Sequence, residues 1–183
     1  MTKRQLKSWP LRMSLFIIVP ALVGVALSCS SPTPPSSPEE LGLIAVEIEA
    51  PDFTLPTMTD REITLSELQG TPVVLNCWAI RCPPCREELP YFNAAVNHYA
   101  DRVTIVAVNI EDSISEVKGF FGDSKVSFVV AIDKNAQVAK SYATGYIPNT
   151  FFIDSQGIIR YIKVGAFANE GELQASIDAL LNK

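Results

Sequence analysis

The stretch that decides the fold is Trp78–Pro90, WAIRCPPCREELP, in which two cysteines stand three positions apart with two prolines between them. The residues just before it, 71–79 (TPVVLNCWA), are largely apolar and rich in β-branched side chains, which predicts a central strand buried on both faces. From Pro83 to about Tyr99, apolar side chains recur at helical spacing. The cysteine pair is therefore predicted to lie where a buried strand is followed by a helix.

Three kinds of site could use the Cys82 and Cys85 pair. A structural zinc site needs four ligands, but the sequence has no second C-x-x-C motif, and its one histidine, His98, fits a helix surface. A structural disulfide across three residues closes too short a loop to constrain the unfolded chain much. A redox pair explains the position best, because the N–H groups and the dipole at a helix N-terminus favour a thiolate.

In this redox interpretation the two cysteines have different tasks. Cys82, at the helix N-terminus, is predicted to be the attacking sulfur, and Cys85, one turn further, the resolving one. Pro83 lies in the first helical turn, where a missing N–H costs no hydrogen bond, and Pro84 completes the spacer of the active site. Cys77 falls within the strand pattern and is interpreted as a small buried apolar side chain.

The rest of the chain alternates strands with helices. Residues 51–70 predict a small hairpin around Thr59-Asp60-Arg61. Further strands are predicted at 102–110, 127–133, 149–154 and 158–165, and further helices at 113–123, 134–143 and 169–183. This order predicts an α/β domain, and the pair of strands around Gly157 predicts a mixed rather than purely parallel sheet.

The N-terminal 28 residues have the pattern of an export signal rather than of a folded element. A basic segment precedes an apolar run, 13–28, that is short for a membrane span and is interrupted by Pro20. The run ends in ALSC, which is similar to the bacterial lipobox, with Ala26 where that motif usually has leucine. Cys29 is therefore the predicted lipidation site, and an uncleaved signal anchor is the alternative.

The export pattern also sets the predicted organisation and location of the chain. Residues 29–45 are rich in serine and proline near their start and predict a tether, followed by the folded domain, 46–183. With either kind of anchor, the domain is predicted to lie at the cell membrane on its extracytoplasmic side.

The charge of the chain argues against nucleic acid as a partner. The net charge is −5, but four of the 15 basic residues lie within the first 28 residues, which contain no acidic residue. The remainder therefore carries 11 basic and 20 acidic residues, a net charge of −9. No basic stripe is visible that would neutralise phosphates.

Three segments together carry a family resemblance. Residues 50–90 (APDFTLPTMTDREITLSELQGTPVVLNCWAIRCPPCREELP), 106–112 (VAVNIED) and 131–165 resemble the TlpA/ResA-like family of membrane-tethered thiol–disulfide oxidoreductases. The resemblance extends over about 46–183. It implies a thioredoxin-like three-layer fold, with a central mixed sheet, helices on both faces and an N-terminal β-hairpin extension. The predicted thiol–disulfide exchange requires no bound metal or organic cofactor.

The resemblance also implies roles for residues around the pair. Ile147-Pro148 corresponds to a cis-proline loop that faces the cysteines and pairs with a substrate peptide. Trp78 matches the tryptophan of the family motif and is expected to pack near the disulfide. Glu88, one helical turn beyond Cys85, corresponds to a glutamate that tunes thiol acidity or relays a proton.

One departure from the family pattern bears on the chemistry. Arg81 stands where the family usually has a tryptophan, immediately before Cys82. A guanidinium at this position is expected to stabilise the thiolate, which makes the disulfide more oxidising. If the side chain instead points into solvent, it contributes little.

The leading hypothesis is a tethered reductase of cysteines in other exported proteins, with apocytochrome c as one candidate substrate. It would take electrons from a membrane thiol–disulfide carrier. The alternatives are a disulfide-donating oxidase, a non-catalytic binding module and a peroxiredoxin-like peroxidase. A peroxidatic cysteine normally has threonine or serine three residues before it, and here Ala79 occupies that position before Cys82.

Overall fold

The computed structural model describes residues 37–142 and 145–183. The predicted signal segment, Cys29 and residues 30–36 of the tether lie outside the described residues. Within the described part, no helix is both long enough and apolar enough to cross a membrane.

The described chain contains eight strands and four helices. The strands are β1 (Leu43–Glu49), β2 (Thr54–Pro56), β3 (Glu62–Thr64), β4 (Val73–Trp78), β5 (Thr104–Ile110), β6 (Val129–Asp133), β7 (Asn149–Ile153) and β8 (Ile158–Val164). The helices are α1 (Pro83–Tyr99), α2 (Ile114–Phe121), α3 (Gln137–Ser141) and α4 (Glu170–Leu181). Apart from β1, each element lies within a segment for which the sequence predicted it.

Six of these strands form one mixed sheet in the order β1-β8-β7-β4-β5-β6. Strands β4, β5 and β6 are parallel, whereas β7 is antiparallel to β4, and β8 is antiparallel to both β7 and β1. Strands β2 and β3 pair antiparallel as a separate hairpin. The predicted mixed sheet and the N-terminal hairpin extension are both confirmed.

Apolar side chains cover both faces of the sheet, as the all-buried pattern of β4 requires. On one face, Val74 and Trp78 pack with buried residues of α1, α2 and α4. On the other face, Leu75 and Cys77 pack with buried residues of α3 and of the segment that includes Phe53. Helices on both faces of a central sheet make the three-layer arrangement that was predicted.

The folded part begins earlier than the predicted boundary at residue 46. Strand β1 starts at Leu43 and pairs with β8 from the Leu43–Lys163 position onward. Leu41 and Leu43 are buried in the same cluster as the residues of α1 and α4. The last part of the predicted tether therefore belongs to the domain, because its two leucines supply apolar surface that the sheet edge buries.

Candidate active site

The cysteine pair lies at the junction of β4 and α1, as predicted. Cys82 is the N-cap residue of α1, and Cys85 lies in its first turn. The two form a disulfide with a Cα–Cα distance of 5.3 Å. The backbone N–H of Cys85 donates to Sγ of Cys82 over 3.3 Å. Pro83 and Pro84 occupy the first positions of α1, which need no N–H donor, so the amide of Cys85 is directed at the sulfur.

Access to the disulfide is one-sided. Cys82 is 8 % exposed, whereas Cys85 is completely buried. An attacking group from solvent therefore meets Sγ of Cys82 first. This burial difference agrees with the predicted division into an attacking and a resolving cysteine.

The loop before β7 faces Cys82 across the site. The Ile147-Pro148 peptide bond is cis, as predicted, and the carbonyl oxygen of Ile147 lies 3.7 Å from Sγ of Cys82. In the disulfide this sulfur carries no hydrogen, so the approach is a contact and not a hydrogen bond. The side-chain amide of Asn149 donates to the carbonyl oxygen of Tyr146 over 2.8 Å and holds the loop. The Tyr146 side chain is 82 % exposed beside it.

Glu88, one helical turn beyond Cys85 on α1, is fully buried. Its Oε1 accepts a hydrogen bond from the Asn76 side-chain amide at 3.0 Å, and its Oε2 accepts one from the backbone N–H of Phe167 at 3.0 Å. Burial disfavours the charged form and raises the pKa of Glu88 to about 7, although both hydrogen bonds oppose the shift. A carboxyl group with this pKa can accept and release a proton near neutral pH.

The partners of Glu88 were missed by the sequence reasoning. Asn76 also donates to Oγ1 of Thr150 at 3.0 Å, so one buried amide ties α1 to two neighbouring strands. An asparagine inside the otherwise apolar run VVLNCW was a detectable signal, since a buried polar side chain requires partners. Nothing in the sequence pointed to Phe167, because its contribution is a backbone N–H.

Arg81 does not act alone beside Cys82. Its Nη1 lies 2.6 Å from Oε2 of Glu111, and both side chains are more than half exposed. Glu111 follows directly on β5, and the next residue, Asp112, accepts the backbone N–H of Ile80 at 2.9 Å. The expectation of an unopposed guanidinium therefore omitted a carboxylate that the fold brings to it.

Trp78 is fully buried and packs against Phe120 and Phe121, with ring centroids 5.6 Å away in both cases. It belongs to the same buried cluster as Cys82 and Cys85.

The remaining candidate groups lie outside the redox site. Cys77 is a free, buried thiol, and its pKa is raised to about 12 by burial and by the nearby Asp133 carboxylate. It therefore stays protonated. His98 is exposed on α1. Among the described residues, no group of three or more histidine, cysteine or acidic side chains is arranged to hold a metal ion.

Comparison with known proteins gives consistent results. Residues 46–162 match the AhpC/TSA family. The thiol–disulfide oxidoreductase ResA of Geobacillus kaustophilus is 32% identical over 161 residues, which are 87% of this chain and 89% of that protein. The thioredoxin-like protein YneN of Bacillus subtilis is 35% identical over 133 residues, 71% of this chain and 77% of its own.

Solved structures agree with the fold. A crystal structure from Chlorobium tepidum, described as a thiol:disulfide interchange protein DsbE, superposes with a TM-score of 0.69 at 33% identity. The match covers 76% of this chain and 99% of that one. With its redox-active pair at Cys82 and Cys85, the chain belongs to the AhpC/TSA family and is a thiol–disulfide oxidoreductase of the ResA/DsbE type.

Proposed function

We propose that this oxidoreductase works as a reductase of disulfides in exported proteins, tethered to the extracytoplasmic side of the cell membrane. The observation that carries the exchange cycle is the unequal burial of the pair, and the reductive direction is supported by the resemblance to tethered reductases. Cys82 is 8 % exposed and contacts the carbonyl oxygen of Ile147, where the substrate disulfide is proposed to dock, while Cys85 is fully buried.

The cycle starts from the reduced pair. The Cys82 thiolate attacks one sulfur of the substrate disulfide, and the other substrate sulfur leaves as a thiolate that takes up a proton. Cys85 then loses its proton and attacks Sγ of Cys82, which expels the second substrate thiol and forms the Cys82–Cys85 disulfide. Two electrons have passed to the substrate. Glu88, one turn beyond Cys85 and with a pKa of about 7, is the proposed acceptor of the Cys85 proton.

The remaining parts of the proposal rest on sequence patterns. The basic and apolar leader and the lipobox-like ALSC support lipidation at Cys29, with a signal anchor as the alternative. A catalytic reductase outside the cytoplasm needs a membrane thiol–disulfide electron donor, because its surroundings are oxidising. Apocytochrome c is a candidate substrate, since its haem-attachment cysteines must be reduced.

The direction of electron flow is tested by the equilibrium reduction potential of the pair, measured by thiol redox titration. A potential of about −250 mV or lower supports the reductase, whereas a potential near −120 mV makes the protein a disulfide donor. As the control for the peroxidase alternative, hydrogen peroxide with a thiol donor is expected to give negligible turnover. Rapid peroxide turnover would contradict the proposal.

A further inference from the structure

The reductive cycle gives no role to the ion pair between Arg81 and Glu111, which adjoins Cys82 along the chain. Arg81 is the neighbour of Cys82 in the chain, which places a positively charged residue next to the attacking cysteine in the sequence. Glu111 comes from the end of β5, and its Oε2 meets Nη1 of Arg81 at 2.6 Å. Two separate segments of the fold therefore meet in this contact.

The segment after β5 is itself held to the active-site loop. Asp112 accepts hydrogen bonds from the backbone N–H of Ile80 at 2.9 Å and from the side-chain amide of Asn109 at 3.0 Å. The backbone N–H of Glu111 donates to the carbonyl oxygen of Asp133 at 3.1 Å. Glu111 is thus presented to Arg81 from a fixed position and not from a free surface loop.

The backbone of Glu111 supports a function for its side chain. Its φ is 70°, in the left-handed region where a glycine would meet no steric penalty from a Cβ atom. A glutamate at this φ destabilises the fold relative to glycine. The contact that its side chain makes is the ion pair with Arg81. Strained positions of this kind cluster at functional sites.

We infer that Glu111 is a positioning residue of the redox site: by engaging the Arg81 guanidinium it limits how far that charge stabilises the Cys82 thiolate. The inference deepens the proposed function, on which it rests, because it names what keeps the pair reducing despite an arginine beside the attacking cysteine. A less stable thiolate means a less stable reduced form and therefore a more reducing disulfide.

In the part of the chain that the structure describes, the other charged groups near the loop do not contact the Arg81 guanidinium. Asp112 is engaged with the backbone of Ile80 and carries no contact with Arg81 among the described hydrogen bonds and ion pairs. Glu88 is buried one helical turn beyond Cys85, and Arg86 and Glu87 are exposed on α1. Glu111 is the carboxylate that contacts the Arg81 guanidinium, which is why the inference falls on it.

The test measures the thiolate fraction of Cys82 in the reduced full chain, from the pH dependence of its alkylation rate by iodoacetamide. Glu111→Gln is expected to raise the thiolate-to-thiol ratio at a fixed pH by about two- to fivefold, the range of an exposed ion pair. At a pH where Cys82 is ionised in every variant, the same change raises the reduction potential by about 10 to 20 mV. Glu87→Gln is the matched control, which removes the same charge from an exposed site on α1.

A second background separates action through Arg81 from a simple charge effect. In Arg81→Gln, the further change Glu111→Gln is expected to alter the thiolate fraction no more than Glu87→Gln does. An equal effect of Glu111→Gln in both backgrounds would overturn the inference, as would no effect in the wild-type background.

Glu111→Gly removes the carboxylate while keeping a backbone that tolerates this φ. Glu111→Gly is expected to reproduce the rise in thiolate fraction and to increase the stability of the fold. If it does not reproduce the effect of Glu111→Gln on the thiolate fraction, that effect comes from backbone distortion, which counts against the inference. The wild-type potential separately decides the direction of electron flow. A value near −120 mV would end the reductase proposal while leaving these variant differences to be judged on their own.

Discussion

The two sides of the disulfide differ in exposure: one lies near the surface and the other is buried. The rim is the surface around the attacking sulfur, formed by Arg81, Cys82, Glu111, Tyr146 and Ile147. The floor comprises the buried Cys85 and the buried hydrogen-bonded group around Glu88, which is one helical turn further on α1: Asn76, Thr150 and the backbone N–H of Phe167. Each side has one carboxylate with defined partners.

The two carboxylates differ in burial, and we therefore expect them to influence the cysteines to different extents. On the rim, the Arg81–Glu111 pair is more than half exposed, so water screens it and its expected effects are a few-fold. On the floor, Glu88 is fully buried, and its pKa rises to about 7. We therefore expect the same functional group to tune the site weakly from the rim and strongly from the floor.

The largest expected effect comes from exchanging the two sulfurs for oxygen one at a time. Cys82→Ser removes the rim sulfur and is expected to reduce disulfide reduction to the rate of the uncatalysed exchange. Cys85→Ser keeps the rim sulfur, so attack proceeds but resolution does not. A mixed disulfide should then accumulate, which mass spectrometry detects after incubation with a protein disulfide.

This comparison is direct because both variants lose one sulfur of the same pair. If the mixed disulfide accumulated on Cys82→Ser instead, the buried sulfur would be the attacking one. The division between rim and floor would then be wrong.

The second largest effect concerns the pH dependence of stability. Glu88 has a pKa of about 7 in the folded chain, against 4.5 for an ordinary glutamate. As the pH rises from about 4.5 to 7, the unfolded chain therefore releases this proton before the folded chain does. The free energy of unfolding is expected to fall over this window by roughly 3 kcal/mol or less from this group alone.

Urea unfolding of the oxidised protein at pH 4.5 to 8 measures this contribution. Glu88→Gln is expected to flatten the profile between pH 4.5 and 7, because the titrating group is gone. The control Glu87→Gln, exposed on the same helix, should keep the wild-type slope. If the profiles of wild type and Glu88→Gln were parallel, the pKa of Glu88 would be the same in the folded and unfolded chains. Burial would then not raise it.

The sequence predicted those features that depend on neighbours along the chain. The span of α1 and the hairpin of β2 and β3 both follow from short-range patterns, and both are present. The cysteine pair was recognised for the same reason, because its chemistry is set by three residues of spacing and the start of one helix.

What the sequence did not predict depends on contacts between distant segments. Phe167 donates to Glu88 across 79 positions, and Asn76 donates to Thr150 across 74. Strand β1 pairs with β8, more than 100 residues away, and its mostly exposed, partly acidic residues resemble a tether more than a core strand. Such contacts are fixed by the packing of the sheet and not by local propensity.

The smallest expected effect is on the rim and concerns Tyr146. Its ring is 82 % exposed, yet its backbone is held by Asn149 next to the loop that contacts Cys82. Exposed aromatic side chains on rigid supports are favoured contact points for protein partners. Tyr146→Ala is therefore expected to raise KM for a protein disulfide roughly fivefold, with kcat, stability and reduction potential unchanged.

Tyr146→Phe should retain the wild-type KM, and Ile44→Ala, which trims an exposed apolar side chain on β1, serves as the distant control. An equal rise in KM for a small disulfide such as oxidised glutathione would mean that Tyr146 supports the loop itself. So small a substrate makes little contact with the ring.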